Sequence, residues 1–238
     1  MGLLAKVFDI LYPEKNICLN CGRKYLFSEL RNICDYCLTY IEFTECYCVR
    51  CGRETNEGEE ICNFCRENTS AFDMARSVGV YDGLLKNLIL KLKYEGCREL
   101  SETLVELLVI AFEESYLSAD LDRIVSVPIH KMRLQERGFN QAELLARGLA
   151  LKTGLPLSTA VKRVKNHPPL YNYAYQERKD LLKDSFFVEK GIFAGENILL
   201  VDDIFTTGAT ASEISKLLKN VAGAKQVLVL TVATARTF

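Results

Sequence analysis

Eight of the ten cysteines in this 238-residue chain stand in four C-x-x-C pairs, all within the first 65 residues. Twelve residues separate the pair Cys18/Cys21 from Cys34/Cys37, and ten separate Cys48/Cys51 from Cys62/Cys65. Two residues between thiolates form a tight knuckle that can hold both sulfurs about 2.3 Å from one tetrahedral ion. Cys18-Leu-Asn-Cys21-Gly-Arg23 is echoed by Cys48-Val-Arg-Cys51-Gly-Arg53, and Cys34-Asp-Tyr-Cys37 by Cys62-Asn-Phe-Cys65. Disulfides, an iron–sulfur cluster or redox dithiols use cysteine pairs too, but duplication of a whole ligand set in a chain read as intracellular favours two structural zinc sites. Spacing leaves the pairing open: consecutive ribbons and an interleaved cross-brace need the same eight ligands.

A closed four-thiolate site leaves no open position for catalysis, so the module is expected to act as scaffold or docking element. Residues 1–70 hold 8 Lys/Arg against 11 Asp/Glu, a net −3. Two zinc centres would take this to about −7, because each sets four thiolates against one dication. Such a module should repel a nucleic acid backbone. Cys46 and Cys97 fall outside the pattern and receive no function.

Past Cys65 the pattern changes. Val/Ile/Leu-rich runs at 76–81, 123–127, 160–164, 197–201 and 226–232 read as short buried strands, and 84–92, 100–112, 141–151 and 211–218 carry apolar residues at helical spacing. That alternation predicts an α/β fold with a parallel sheet flanked by helices. The expected division is 1–70 for an N-terminal helix and the double four-cysteine module, and 71–238 for the α/β domain. Net charge is −1 overall, yet residues 123–183 carry 12 basic against 4 acidic residues, so a polyanion should meet the middle of the chain first. Leu3, Leu4, Val7, Phe8, Ile10 and Leu11 make an apolar helical face, expected to dock on the protein, with membrane contact as the alternative. No apolar run approaches the roughly 20 residues of a membrane span, and the start lacks a signal peptide's apolar stretch, which predicts a cytoplasmic location.

Chemistry concentrates at Asn197-Ile-Leu-Leu-Val-Asp202-Asp203-Ile-Phe-Thr206-Thr207-Gly208-Ala209-Thr210. An apolar strand runs into two carboxylates and then into a Thr/Gly turn that opens a helix. Unpaired amides and the helix dipole make such a turn an anion site, suited to a sugar 5′-phosphate. Asp202 and Asp203, expected at the strand end, can accept hydrogen bonds from vicinal ribose hydroxyls. This string resembles the signature of type I phosphoribosyltransferases. A second one, Val125-Ser-Val-Pro128-Ile-His130-Lys-Met-Arg133-Leu-Gln-Glu136-Arg137-Gly-Phe-Asn-Gln141, is similar to the V-P-x-H-x-x-R-x-x-x-R-G-F-N-Q run of the ComF family. The order of cysteine module, basic segment and terminal motif extends that resemblance over nearly the whole chain.

The resemblance implies a phosphoribosyltransferase-like sheet that binds phosphoribosyl pyrophosphate (PRPP). Asp202 and Asp203 would be catalytic; Thr206, Thr207, Gly208, Ala209 and Thr210 would hold the phosphate, with Arg133 and Arg137 on the pyrophosphate. Magnesium would bridge ligand oxygens, the protein supplying few ligands. His130 could touch pyrophosphate or be satisfied locally. Competence-linked handling of incoming single-stranded DNA is the implied role, with that DNA and a ComFA-type helicase or another competence protein as partners. Where the family usually reads Thr-Pro-x-Gln, with Arg and Asn further on, this chain has His167, Leu170 and Leu181, keeping only Arg178; that puts turnover in question more than binding. Tyr171, Tyr173 and Tyr175 beside Arg178 and Lys179 could stack bases or face the core. Two functions therefore compete: pentosyl transfer, and a non-catalytic sensor of PRPP that holds DNA or a partner protein.

Overall fold

The structure, a computed structural model, describes residues 16–44, 46–167 and 173–236. The apolar N-terminal face expected at Leu3–Leu11 and the loop residues Leu170 and Tyr171 lie outside them. The leading knuckle of each ribbon turns through a left-handed glycine, Gly22 at φ 74° and Gly52 at φ 69°, where a side chain would be strained. Strand β1 (Asn16–Ile17) pairs antiparallel with β2 (Lys24–Tyr25) around the first knuckle, and an antiparallel bridge from Tyr47 to Glu54 repeats the arrangement around the second. Helices α1 (Asp35–Leu38) and α2 (Asn63–Glu67) start immediately after Cys34 and Cys62. The repeat in the sequence is thus a repeat in structure.

Five strands form one parallel sheet: β3 (Met74–Val80), β4 (Arg123–Ser126), β5 (Leu157–Ser158), β8 (Asn197–Phe205) and β9 (Gln226–Thr234), in the order β3-β9-β8-β4-β5. Strands β6 (Lys162–Arg163) and β7 (Phe186–Phe187) make a separate antiparallel pair. This corrects the expected strand over 160–164: the sheet takes Leu157 and Ser158 beside β4, and the hairpin takes the residues after them. Helices α3 (Gly83–Tyr94), α4 (Leu100–Tyr116), α6 (Gln141–Thr153) and α8 (Ala209–Asn220) contain the four helical stretches read from periodicity. Two further helices, α5 (Lys131–Arg137) and α7 (Tyr175–Leu182), escaped the reading because α5 buries no residue and α7 buries Leu182 alone. Without an apolar stripe there is no helical period to detect.

Residues 198–201 are buried without exception and alternate between two cores. Leu199 and Val201 face a core built with α3, α4 and α6; Ile198 and Leu200 face one built with α8. The two ribbons divide in the same way. Cys18, Ile33, Cys34, Cys37 and Ile41 join the first core, while the second quartet and Phe72 join the other. Between them runs β3, an edge strand. Its free side is met by the ribbons: the Ala75 amide donates to Arg50 O at 2.8 Å and the Val80 amide to Glu42 O at 2.8 Å. Covering an edge in this way removes the unpaired groups that would recruit another strand.

Gly52 lies at that seam. A Cβ there would come 2.7 Å from Ala75 O, whereas one at Gly22 would have no atom of the described residues within 4 Å. Both positions carry the cost of left-handed backbone, about 1 kcal/mol for a non-glycine residue. Gly52→Ala must in addition push the second knuckle off β3. In urea unfolding, Gly22→Ala should lose roughly that 1 kcal/mol and Gly52→Ala clearly more; equal losses would show that the seam tolerates the methyl group.

Candidate functional site

The four-cysteine sets close consecutively. Cys18, Cys21, Cys34 and Cys37 bring their sulfurs within 4.8 Å of one another, and so do Cys48, Cys51, Cys62 and Cys65. Sulfur separations of 3.8 Å for Cys18–Cys37 and 3.7 Å for Cys21–Cys34 and Cys51–Cys62 are far from a bonded disulfide. They match the edge of a tetrahedron with 2.3 Å metal–sulfur bonds, which is about 3.8 Å. Each quartet is therefore capable of holding a metal ion of the kind four thiolates select. Burial opposes thiolate formation at Cys18, but amide donors from Cys21, Cys34 and Asn20 outweigh it and lower its pKa to about 6. At Cys51 a hydrogen bond from Cys65 and the Arg53 guanidinium, working against burial, lower it to about 4.

Asp202 and Asp203, expected at the strand end, are followed by two more residues of β8, because the strand continues in register with β9 from Asp202↔Thr231 to Phe205↔Thr234. Alternation sends the two carboxylates to opposite faces of the sheet. Asp203 is buried and its Oδ2 is 2.5 Å from Nζ of Lys93, in the last turn of α3. Asp202 is half-buried and accepts the Asp203 amide at 2.8 Å. Burial, with the Asp203 charge adding to it, pushes the Asp202 carboxyl up to about 8.

The Thr/Gly turn follows. Gly208, at φ 76°, is the residue before α8, so the helix opens one position ahead of Thr210. A Cβ at Gly208 would strike the Phe205 ring at 2.7 Å. Thr207 Oγ1 accepts the Ala209 amide at 3.4 Å, and Thr206 Oγ1 accepts from Arg178 Nη1 at 3.0 Å. Asp202, Thr206, Gly208 and Thr210 line one small cavity of about 20 Å³, with Ala209 outside its lining. On the other side of the turn Thr206 and Thr207 border a cleft of about 640 Å³ walled by the second ribbon through Arg53, Asn56, Asn63 and Phe64. Arg53 is 6% exposed, its guanidinium 4.2 Å above the Phe64 ring and 5.8 Å from that of Phe205.

Arg133 and Arg137 sit on α5, engaged elsewhere than the turn. Arg133 donates to His167 O at 3.2 Å, and Arg137 stacks 5.1 Å from the Tyr94 ring. His130 is the N-cap of α5, its Nδ1 accepting the Met132 amide at 3.4 Å, which is the local satisfaction weighed above. His167 Nε2 lies 2.7 Å from Ser185 Oγ, whose proton goes to Leu181 O; the half-buried ring is thereby tied to a buried serine. Tyr175 meets Phe64 edge-on at 4.7 Å, packing against the second ribbon instead of presenting a stacking face.

Three basic residues near the site escaped the sequence reading. Lys93 looks like any solvated lysine at a helix end, and Arg53 like a knuckle residue. Arg163, on β6, has a buried Nε with no hydrogen-bond partner among the described residues; burial, with Arg133 alongside, lowers its pKa while Asp202 opposes. No local pattern marks any of the three, since all are brought to the site by tertiary packing.

The raised carboxyl of Asp202 makes stability depend on pH. A folded value above the ordinary 3.8 means that its contribution is present in acid and is lost as pH rises toward about 8. The urea midpoint should fall between pH 5 and pH 8, and Asp202→Asn should flatten that fall. Parallel slopes for the two proteins would assign the titration to another group.

The double zinc ribbon domain family matches residues 7–66. Over 224 residues the chain is 32% identical to Competence protein F of Haemophilus influenzae, covering 92% of this chain and 96% of that one. It is 32% identical over 200 residues to DNA utilization protein YhgH of Escherichia coli K12 (82% and 88% covered), and 28% identical over 213 residues to Competence protein ComFC of Bacillus subtilis (84% and 77%). Among solved structures it is similar to adenine phosphoribosyltransferase of Saccharomyces cerevisiae, at 19% identity and a TM-score of 0.36 over 58% of this chain and 78% of that one. With a double ribbon clasping the edge of a parallel α/β sheet, and a likeness to Competence protein F that spans nearly its whole length, this chain belongs to the ComF family of competence proteins.

Proposed function

We propose that the chain binds PRPP at the junction of β8 and α8 and transfers its phosphoribosyl group to an acceptor. The observation that supports this reading is that Thr206 and Thr207 open onto the cleft of about 640 Å³, which has room for a phosphorylated ribose, while Asp202 stands with Thr206, Gly208 and Thr210 around a void of about 20 Å³, room for a water only. Amides of the first turn of α8 have no partner within the helix and favour an anion. The ribbon-walled cleft beside the turn offers room for the acceptor. Arg133, Arg137 and Arg163 would receive the departing pyrophosphate, whose charge paired guanidinium donors suit. Catalysis would consist of holding the substrates and neutralising that charge. Magnesium, where it takes part, would be carried on the ligand's own oxygens.

The ribbons would serve as zinc-bound scaffold and wall, ending near residue 70, with the phosphoribosyltransferase-like domain over 71–238. Relatives named for competence and DNA utilization support a cytoplasmic role in handling incoming single-stranded DNA, alongside a ComFA-type helicase or another competence protein. Among the described residues no helix is long and apolar enough to cross a membrane. The basic segment around α5 favours a second reading, in which the pocket senses PRPP without turnover and the arginines hold DNA.

Calorimetric titration with PRPP, followed by pyrophosphate-release assays across nucleobases, separates the two. Wild type should bind, and Thr207→Ala should weaken binding roughly tenfold by taking a hydroxyl from a charged ligand. An unaltered Thr207→Ala affinity would remove the turn from the site, and binding without pyrophosphate release would leave only the sensor. For DNA, Arg133→Ala/Arg137→Ala should make the log–log salt slope of single-strand affinity shallower by about 1.4 if each arginine contacts one phosphate. An identical slope would exclude this patch.

A further inference from the structure

Two lysines of α3 end in different places. Lys91 donates to the carbonyl oxygens of Leu19 and Asn20 at 2.6 and 3.2 Å, tying the helix to the first knuckle. Lys93 instead turns to the sheet and meets Asp203 at 2.5 Å, the two side chains only 14% and 13% exposed. Desolvating an ammonium and a carboxylate costs more than a surface pair returns, so this contact is a poor device for stability alone. Its position suggests another use. Asp203 is the neighbour of Asp202, which lines the cavity with the Thr/Gly turn.

A phosphorylated ribose on the Thr/Gly turn meets first-turn amides of α8 that attract it and the Asp202 carboxyl beside it, with the Asp203 charge on the opposite face of the sheet directly behind. Such a pair ordinarily needs a cation between itself and the anion. Among the described residues, the clusters of three or more side chains able to hold a metal ion are the two cysteine quartets, and no acidic cluster surrounds Asp202 and Asp203. A divalent ion on Asp203 would have to displace the Lys93 ammonium. Near neutral pH the raised carboxyl of Asp202 carries reduced charge, leaving Asp203 and Lys93 to cancel.

We propose that Lys93 is the resident cation of this site: its ammonium neutralises Asp203 in place of a divalent metal, so that the pocket accepts a phosphorylated ribose without magnesium. This rests on the sugar-phosphate reading given above and adds to it where the neutralising charge comes from. Lys93 is a positioning residue here, acting on the ligand through the acid pair.

The test is calorimetry with PRPP as probe, in buffer freed of magnesium by a resin and not by a soluble chelator, so that metal in the ribbons is kept, and again with excess magnesium. Wild type should bind with affinities within about threefold of each other in the two buffers. Lys93→Met should lose roughly tenfold or more without magnesium and regain it when the ion is supplied. Lys93→Met/Asp203→Asn, which leaves no buried unpaired charge and so guards against misfolding of the single variant, should recover magnesium-free binding. Wild-type binding that requires magnesium would overturn the role of Lys93 and leave the sugar-phosphate reading standing. So would a Lys93→Met protein that matches wild type in magnesium-free buffer, or a double variant that fails to recover. No binding by wild type in either buffer would instead overturn the sugar-phosphate reading, and this inference with it.

Discussion

The contact on which the remainder of the structure depends is the seam between the two ribbons and strand β3. Two backbone hydrogen bonds, Ala75 to Arg50 and Val80 to Glu42, fix the cysteine module to the sheet edge from both sides. From that seam the first ribbon reaches one face, where Lys91 and Thr103 bond its carbonyls, and the second reaches the other, where Phe64 packs on Tyr175. The module thereby contributes to two cores at once, and each quartet is buried partly by residues of the sheet domain. Thiolate clusters hold these short segments in shape; their own apolar content could not.

The same seam brings the second ribbon to the functional end of the sheet. Arg53 illustrates the coupling, since its guanidinium lies beside the Cys51 sulfur electrostatically and between the rings of Phe64 and Phe205. Phe205 is the last residue of β8, and its ring is what forces a glycine at 208. A chain of packed groups therefore runs from a cysteine quartet through one arginine and one phenylalanine to the threonine turn. The cysteine module is connected to the candidate site by contact and is more than an appendage.

Much of this was legible in the amino acids. The duplicated knuckles, the buried strands with their Val/Ile/Leu runs and the acidic pair ahead of a Thr/Gly turn are local patterns whose chemistry is carried by adjacent residues. What escaped notice depends on distance along the chain. Lys93 and Asp203 are 110 positions apart, and neither the spacing in α3 nor that in β8 signals the other. Arg163 comes near enough to feel the Asp202 charge because the sheet takes Leu157–Ser158 and leaves a hairpin behind it. Helices without an apolar stripe, α5 and α7, give periodicity nothing to measure, although α5 carries the two arginines singled out for their charge.

Strand order has a consequence for biosynthesis. Strand β3 pairs in the sheet with β9 alone, and some 150 residues of chain lie between them. During translation from the N-terminus, β3 leaves the ribosome with its ribbon neighbours long before its hydrogen-bonding mate exists. For that interval the ribbons already cover one of its two edges through the Ala75 and Val80 amides, so only the edge that awaits β9 stays open to wrong pairing.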